Sequence, residues 1–169
     1  MLIPILETAR LELIPPDCVC ESAYLRFYTD AGASISYGGP LSPAQALSRL
    51  ARDLGAWQLQ GFGVWAMRRR ADSEILGACG FWQGSGWPRE LTWWLLPEAR
   101  GQGYALEASR AAIEHAYAEF GWESVETYAV DANESARTLI ARLGGVRIGR
   151  QLFPDGQHRY VYRIPRSPG

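Results

Sequence analysis

Residues 90–108 read ELTWWLLPEARGQGYALEA. The first seven, 90–96, are nearly all apolar and suit a strand covered on both faces. Pro97 stops it. Arg100-Gly101-Gln102-Gly103-Tyr104-Ala105 then makes a glycine-punctuated loop that opens a helix. A strand feeding such a loop at a helix N-terminus is an anion site. The first helical amides lack intrahelical acceptors, the helix dipole is positive at that end, and glycine lets a phosphate approach the backbone. Arg100 adds a forked cation beside it. The loop is not a Walker loop, because no Gly-Lys-Ser/Thr follows. Nor is it the dinucleotide fingerprint, because Leu106 stands where the third glycine belongs. The residue types point to a phosphate-bearing ligand at a strand–helix junction.

Outward from this stretch the chain alternates strands and helices. Upstream, 62–67 and 75–81 read as strands joined by the polar turn 68–73, and 83–88 makes the next turn. The three arginines 68–70 read as a solvated turn. Thr8 to Ile14 alternates with Leu11 and Leu13 on one face and reads as a half-buried strand that Pro15-Pro16 ends. Asp17 caps a helix to about Tyr28, and 32–40 reads as loop. Ser42, with Pro43 in the first turn, opens a second helix to about Leu59, where Ala46, Leu47, Leu50, Leu54 and Trp57 recur at helical spacing. Downstream come a helix over 102–120 ended by Gly121 and a strand over 125–130. A helix led in by Asp131-Ala132-Asn133 runs through Leu143, and Gly144-Gly145 closes it. A final hairpin of 146–152 and 158–164 turns at Pro154-Asp155-Gly156, before a tail at 165–169. The order β-α-α-β-β-β-α-β-α-β-β predicts one α/β domain spanning 1–169 around a single sheet.

The bulk properties bound the function. The chain has 169 residues, 47% hydrophobic and 21% charged, as a soluble globular domain does. A net charge of −1 gives no bulk case for nucleic acid. No apolar run approaches the roughly 20 residues that span a bilayer, and no signal-peptide pattern is present. Cys18, Cys20 and Cys79 have neither metal-ligand nor redox spacing and read as reduced thiols of a cytoplasmic protein. No metal is expected. His115 and His158 have no partner in sequence. Seven Trp and eight Tyr read first as core filling, with an aromatic-lined pocket as the other use.

The stretch 90–108 closely resembles the coenzyme A–binding segment of the GCN5-related N-acetyltransferases, and within them the branch of ribosomal-protein N-terminal acetyltransferases. The family signature [Q/R]-x-x-G-x-[G/A] is matched by Arg100, Gly103 and Ala105. Thr8-Ala9-Arg10-Leu11 resembles the branch's opening strand, Tyr37-Gly38-Gly39-Pro40 its loop before the second helix, and Ile75-Leu76-Gly77 its third strand. Asp131-Ala132-Asn133 followed by Leu143-Gly144 resembles its N-x-x-S…L-G-F segment. The likeness runs in matching order over most of the chain. It implies a central, mostly antiparallel sheet of about seven strands with helices on both faces, the fourth (90–96) and fifth (125–130) splayed apart. It implies acetyl-CoA as co-substrate, with the pyrophosphate on the backbone of Gly101, Gln102, Gly103, Tyr104 and Ala105 beside Arg100. It places the pantetheine arm along the backbone of Trp94, Leu95 and Leu96, with Asn133 reaching it from the far side.

The implied reaction is acetyl transfer to a primary amine of a small molecule or a protein N-terminus, with the heavy aromatic load leaning toward a small or apolar amine. It needs an oxyanion donor and a base. Glu90 is the candidate base; Glu107 reads as a favourable charge in the first turns of its helix. The acceptor pocket is expected from the loop 35–40, Tyr37 included, with Trp82, Trp87 and Trp93. The family's usual proton-donor positions hold Ala136 and Ile140, and Ser135 falls one position early, aimed elsewhere. That leaves Tyr104, Thr138 or solvent. Gly145 replaces the usual Phe. A coenzyme A–binding module with little or no turnover is the alternative. The expected assembly is a monomer or homodimer.

Overall fold

The computed structural model describes residues 1–167; the end of the expected tail, residues 168 and 169, lies outside the described residues. The elements run β1 (Leu6–Glu7), β2 (Leu11–Ile14), α1 (Glu21–Thr29), α2 (Ala31–Ser34), α3 (Pro43–Gln60), β3 (Val64–Arg69), β4 (Ile75–Trp82), β5 (Glu90–Leu95), α4 (Tyr104–Ala118), β6 (Val125–Ala129), α5 (Glu134–Arg142), β7 (Val146–Leu152) and β8 (His158–Ile164). They form two sheets, β1-β2-β3-β4-β5 and β6-β8-β7, and every paired strand is antiparallel. β5 and β6 lie side by side without a hydrogen-bonded ladder. The expected mixed α/β architecture is present, and the splay divides the sheet in two at the expected place.

Two departures have local causes. The strand expected over 8–14 is broken at Thr8–Arg10, giving the short pair β1–β2. Glu107 of α4 holds this turn: it accepts the Thr8 hydroxyl, the Arg10 amide at 2.8 Å and Arg10 Nε at 2.8 Å. Its carboxylate is therefore a tertiary clamp and not simply a first-turn charge. The segment 32–40, expected as loop, starts helically. Asp30 accepts Ala33 N–H at 2.8 Å as the N-cap of α2, and a 3₁₀ turn, Ile35–Tyr37, follows.

Strand alternation sends side chains to two cores. Trp65, Met67, Cys79, Phe81 and Leu91 face α4, whose Ala108, Ala112 and Ala116 let the helix lie close to the sheet. Val64, Ala66, Ala78 and Trp94 face α1 and α3. There Phe27 stacks on Trp94 at 4.2 Å and Tyr24 meets it edge-on at 5.2 Å. The buried face of α3 is not the whole expected stripe. Ala46, Leu50 and Trp57 are buried, Leu47 and Leu54 are at its exposed margin, and Asp53 takes a buried place because Tyr24 Oη donates to it at 2.8 Å.

α3 begins as read from sequence. Ser42 accepts Gln45 N–H at 3.2 Å while the Gln45 side chain accepts Ser42 N–H at 2.9 Å. Ser42→Ala removes half of this box and should lower stability by about 1 kcal/mol. Urea unfolding checks it: the midpoint falls with an unchanged slope.

Candidate functional site

The glycine loop sits where β5 ends. Gly101 and Gly103 have φ of 75° and 82°, a left-handed conformation that costs glycine little and other residues more. Gly103 is the N-cap of α4. None of the backbone amides from Gly101 to Leu106 donates a hydrogen bond to a described residue; the first to do so is Glu107, to Gly103 O at 3.1 Å. The loop therefore presents a run of uncommitted N–H groups at the positive end of a helix. Arg100 does not reach outward alone. Its Nε donates to Leu95 O at 3.3 Å and Nη2 to Ala33 O at 3.2 Å, so the cation is anchored at the floor. Behind the loop, Arg10 Nη1 donates to Gln102 O at 2.9 Å, and its guanidinium lies 4.3 Å over the Tyr104 ring. Sequence reading does not find this brace, because it joins residues far apart in the chain.

The open edge of β5 runs from this loop toward the centre. The carbonyls of Leu91, Trp93 and Leu95 point away from β4. Thr127 Oγ1 donates to the first at 2.8 Å, Tyr37 Oη to the second and Arg100 to the third. The N–H groups of Trp93 and Leu95 share that direction, because in an antiparallel pair both backbone groups of a residue face the same side. Of the expected rail of Trp94, Leu95 and Leu96, the backbone of Leu95 shares this direction. The backbones of the other two turn toward β4: Leu96 N–H donates to Leu76 O at 2.8 Å, and Trp94 is paired with Ala78, although Trp94 still lines both cavities. Trp93 supplies the second outward position. Its side chain packs against both the α4 core and the small core of Ala129, Ala136, Ile140 and Tyr162, filling the split between the sheets.

Two cavities meet at this split. One, of about 470 Å³, runs from Arg100, Gly101, Gly103, Tyr104 and Ala105 along Leu95 to Trp93. The other, of about 940 Å³, holds Glu90, Trp82, Trp87 and Tyr128. Ser36, Tyr37, Trp93, Trp94, Asn133 and Ser135 line both. Asn133 caps α5, its Oδ1 accepting Ala136 N–H and the Ser135 hydroxyl at 3.2 Å each. Ser135, expected to point elsewhere, stands at the junction, one residue into α5. Ala136 and Ile140 are buried against Trp93 and carry no proton donor because that position is core. Thr138 lines only the smaller cavity. Neither histidine lines either one.

Glu90 lies opposite Trp82 in the β4–β5 ladder. Burial pushes its carboxyl up to about 8, against a smaller pull downward from the Tyr128 hydroxyl and the Arg159 guanidinium. Burial likewise raises Tyr128, whose hydroxyl is buried without a hydrogen-bond partner among the described residues. Trp87 stacks with Tyr128 at 6.3 Å and meets Trp82 edge-on at 5.7 Å. Arg49, Arg52 and Arg159 also line this cleft. They were not singled out from sequence, although Arg49 and Arg52 flank the buried stripe of α3 three residues apart. Among the described residues, no group of three or more His, Cys, Asp or Glu is placed to hold a metal ion.

Known proteins share this fold. The fold superposes on an acetyltransferase from Agrobacterium tumefaciens with a TM-score of 0.87 and 27% identity, covering 98% of this chain and 96% of that one. It matches RimL, a ribosomal-protein acetyltransferase, with a TM-score of 0.76, 16% identity and coverage of 98% and 96%. MccE, a microcin self-immunity acetyltransferase solved with acetyl-CoA and AMP, matches with a TM-score of 0.74, 13% identity and coverage of 94% of each chain. The last two likenesses are of fold. The family model described as acetyltransferase (GNAT) domain matches residues 10–146. That match spans most of the sequence, so the chain belongs to the GNAT family and is an acyl-CoA-dependent acetyltransferase.

Proposed function

We propose that this protein transfers the acetyl group of acetyl-CoA to the primary amine of a small molecule or a protein N-terminus, in the cytoplasm. The observation that carries this reading is the meeting of two cavities at the open edge of β5, one lined by uncommitted amides and the other holding Glu90. The amide-rich loop fits a pyrophosphate, and the outward N–H groups of Trp93 and Leu95 fit an extended amide chain laid along the strand. The three cysteines are free, as suits a reducing compartment.

When bound, acetyl-CoA supplies an activated acetyl thioester. The chain does the rest. Amides 101–106 and Arg100 hold the phosphates. The amine enters from the Glu90 cleft, its nitrogen bonds to the acetyl carbon, and the carbon–sulfur bond breaks. Glu90 takes the proton that the nitrogen sheds, directly or through a water. We assign to the outward Trp93 N–H the hydrogen bond to the carbonyl oxygen as it gains charge. Ser135 at the junction is the hydroxyl placed to return a proton to the sulfur.

Acetyl-CoA at a hundred times its Kd should raise stability by about 2.7 kcal/mol, and no rise in melting temperature with coenzyme A would sink the reading. Arg100→Glu should weaken coenzyme A at least about tenfold by calorimetry, because it reverses the charge at the loop floor. Glu90 accepts a proton only when ionised. With its carboxyl held near 8, wild-type kcat/KM should rise with pH more steeply below that value than above it, where only the deprotonation of the amine still contributes. Glu90→Gln should lower kcat and remove that limb, leaving only the limb set by the amine itself; identical profiles for both proteins would rule out Glu90 as the base.

A further inference from the structure

The cleft that holds Glu90 is unusual in its cations. Arg49 and Arg52 project from α3 on one wall and Arg159 from β8 on the other. Each is laid over an aromatic ring: Arg49 at 5.0 Å from Tyr28, Arg52 at 5.9 Å from Trp82 and Arg159 at 5.4 Å from Trp87. Stacking fixes a guanidinium in place while leaving its edge N–H groups directed outward.

The three differ in what already satisfies them. Arg159 is committed, donating to both oxygens of Asp155 at 2.9 and 2.7 Å. Arg49 has no carboxylate partner among the described residues, and Arg52 has only Asp53, at 3.8 Å. Asp53 is itself buried and already accepts the Tyr24 hydroxyl. Burial raises the Asp53 carboxyl, against a downward pull from the Tyr24 hydroxyl and the two arginines. Burial and the neighbouring Arg49 charge both lower Arg52, the mark of two cations held close with too little anion between them. Glu134, the remaining acid on the cleft wall, is exposed at the start of α5. Like-charged guanidiniums side by side are relieved by an anion that bridges them.

From Arg52 the line runs over Trp82 to its cross-strand neighbour Glu90. A molecule with an amine at Glu90 and an anionic group at Arg49 and Arg52 would lie along the Trp82–Trp87 wall. Its intervening part would be flat or apolar. The geometry points to an acceptor amine that carries a carboxylate or phosphate, bound by Arg49 and Arg52, with a planar or apolar middle against Trp82 and Trp87. This rests on the proposed function, since it names the class of amine that the Glu90 cleft takes, and it adds an anionic group to the small or apolar amine expected from the sequence.

The test is binding, so that it does not depend on turnover. Calorimetry on the protein with coenzyme A present compares two pairs that differ only in the anionic group: 4-(aminomethyl)benzoate with benzylamine, and pyridoxamine phosphate with pyridoxamine. At least one anionic member should bind about tenfold or more tightly than its neutral twin, and which pair shows it tells carboxylate from phosphate. Arg49→Gln with Arg52→Gln should collapse that ratio toward one, while Arg49→Lys with Arg52→Lys keeps part of it. Equal binding of both members in both pairs, or no binding of either anionic member at concentrations on the order of 1 mM, overturns the proposal. So does a ratio that the Gln pair leaves intact; if that pair fails to fold, the wild-type comparison alone decides. Anionic preference without acetylation of any amine would instead retain the subsite and reject the amine-acetylation reading.

Discussion

A strand that loses its partner on one side must satisfy its polar backbone some other way, and β5 does so inside the molecule. Its outward carbonyls are met by three different elements: Thr127 from β6, Tyr37 from the segment after α2, and Arg100 from the loop before α4. Each bond settles one unpaired acceptor and also fixes the distance from β5 to the element that donates it. The gap between the sheets is therefore held open to a set width. Trp93 keeps it from collapsing by packing on both sides of the split. Only donors, the outward N–H groups, are left over, and that is the half of the backbone that a carbonyl-bearing chain can use.

The two cavities take their electrostatic character from different physical sources in their linings. The loop side gains its positive potential from backbone dipoles, which carry no net charge and do not vary with pH. The cleft side is built from ionisable side chains set against aromatic rings. Low exposure of Glu90 makes its charge costly, and three stacked guanidiniums stand nearby. A negative group added there lowers the electrostatic cost of the arginines, whereas a second positive group raises it. The indole wall between them favours flat surfaces without regard to charge.

What the sequence makes legible is what local periodicity and capping encode. Ser42, Pro43 and Gln45 announce α3, and the run 90–108 announces β5, the loop and α4. What it hides is set by distant pairing. The break at Thr8–Arg10 is stabilised by Glu107, 97 residues from Arg10, and no local pattern marks it. The parity of β5, outward at Trp93 and Leu95, depends on which residues β4 takes, and an apolar strand covered on both faces shows no alternation from which to read it. Ser135 reaches the junction because α5 starts at Glu134, so its hydroxyl belongs to the first turn and not to a helix face. Arg49, Arg52 and Arg159 look like ordinary surface charges until α3 and β8 are placed on opposite walls of one cleft.

The clamp between the first hairpin and α4 has one further meaning. Arg10 links Glu107 to Gln102 O, so the loop and the β1–β2 turn are tied by one guanidinium and one carboxylate. Hydrogen bonds from Thr8 and Arg10 outweigh burial and hold Glu107 below the usual carboxylate range, so the clamp stays charged at neutral pH. Ordering of either partner then lowers the entropy lost in ordering the other. The clamp thus ties the glycine loop to the first strands of the sheet, although Arg10 lines neither cavity: the support of the loop reaches further than the surface of the cavities.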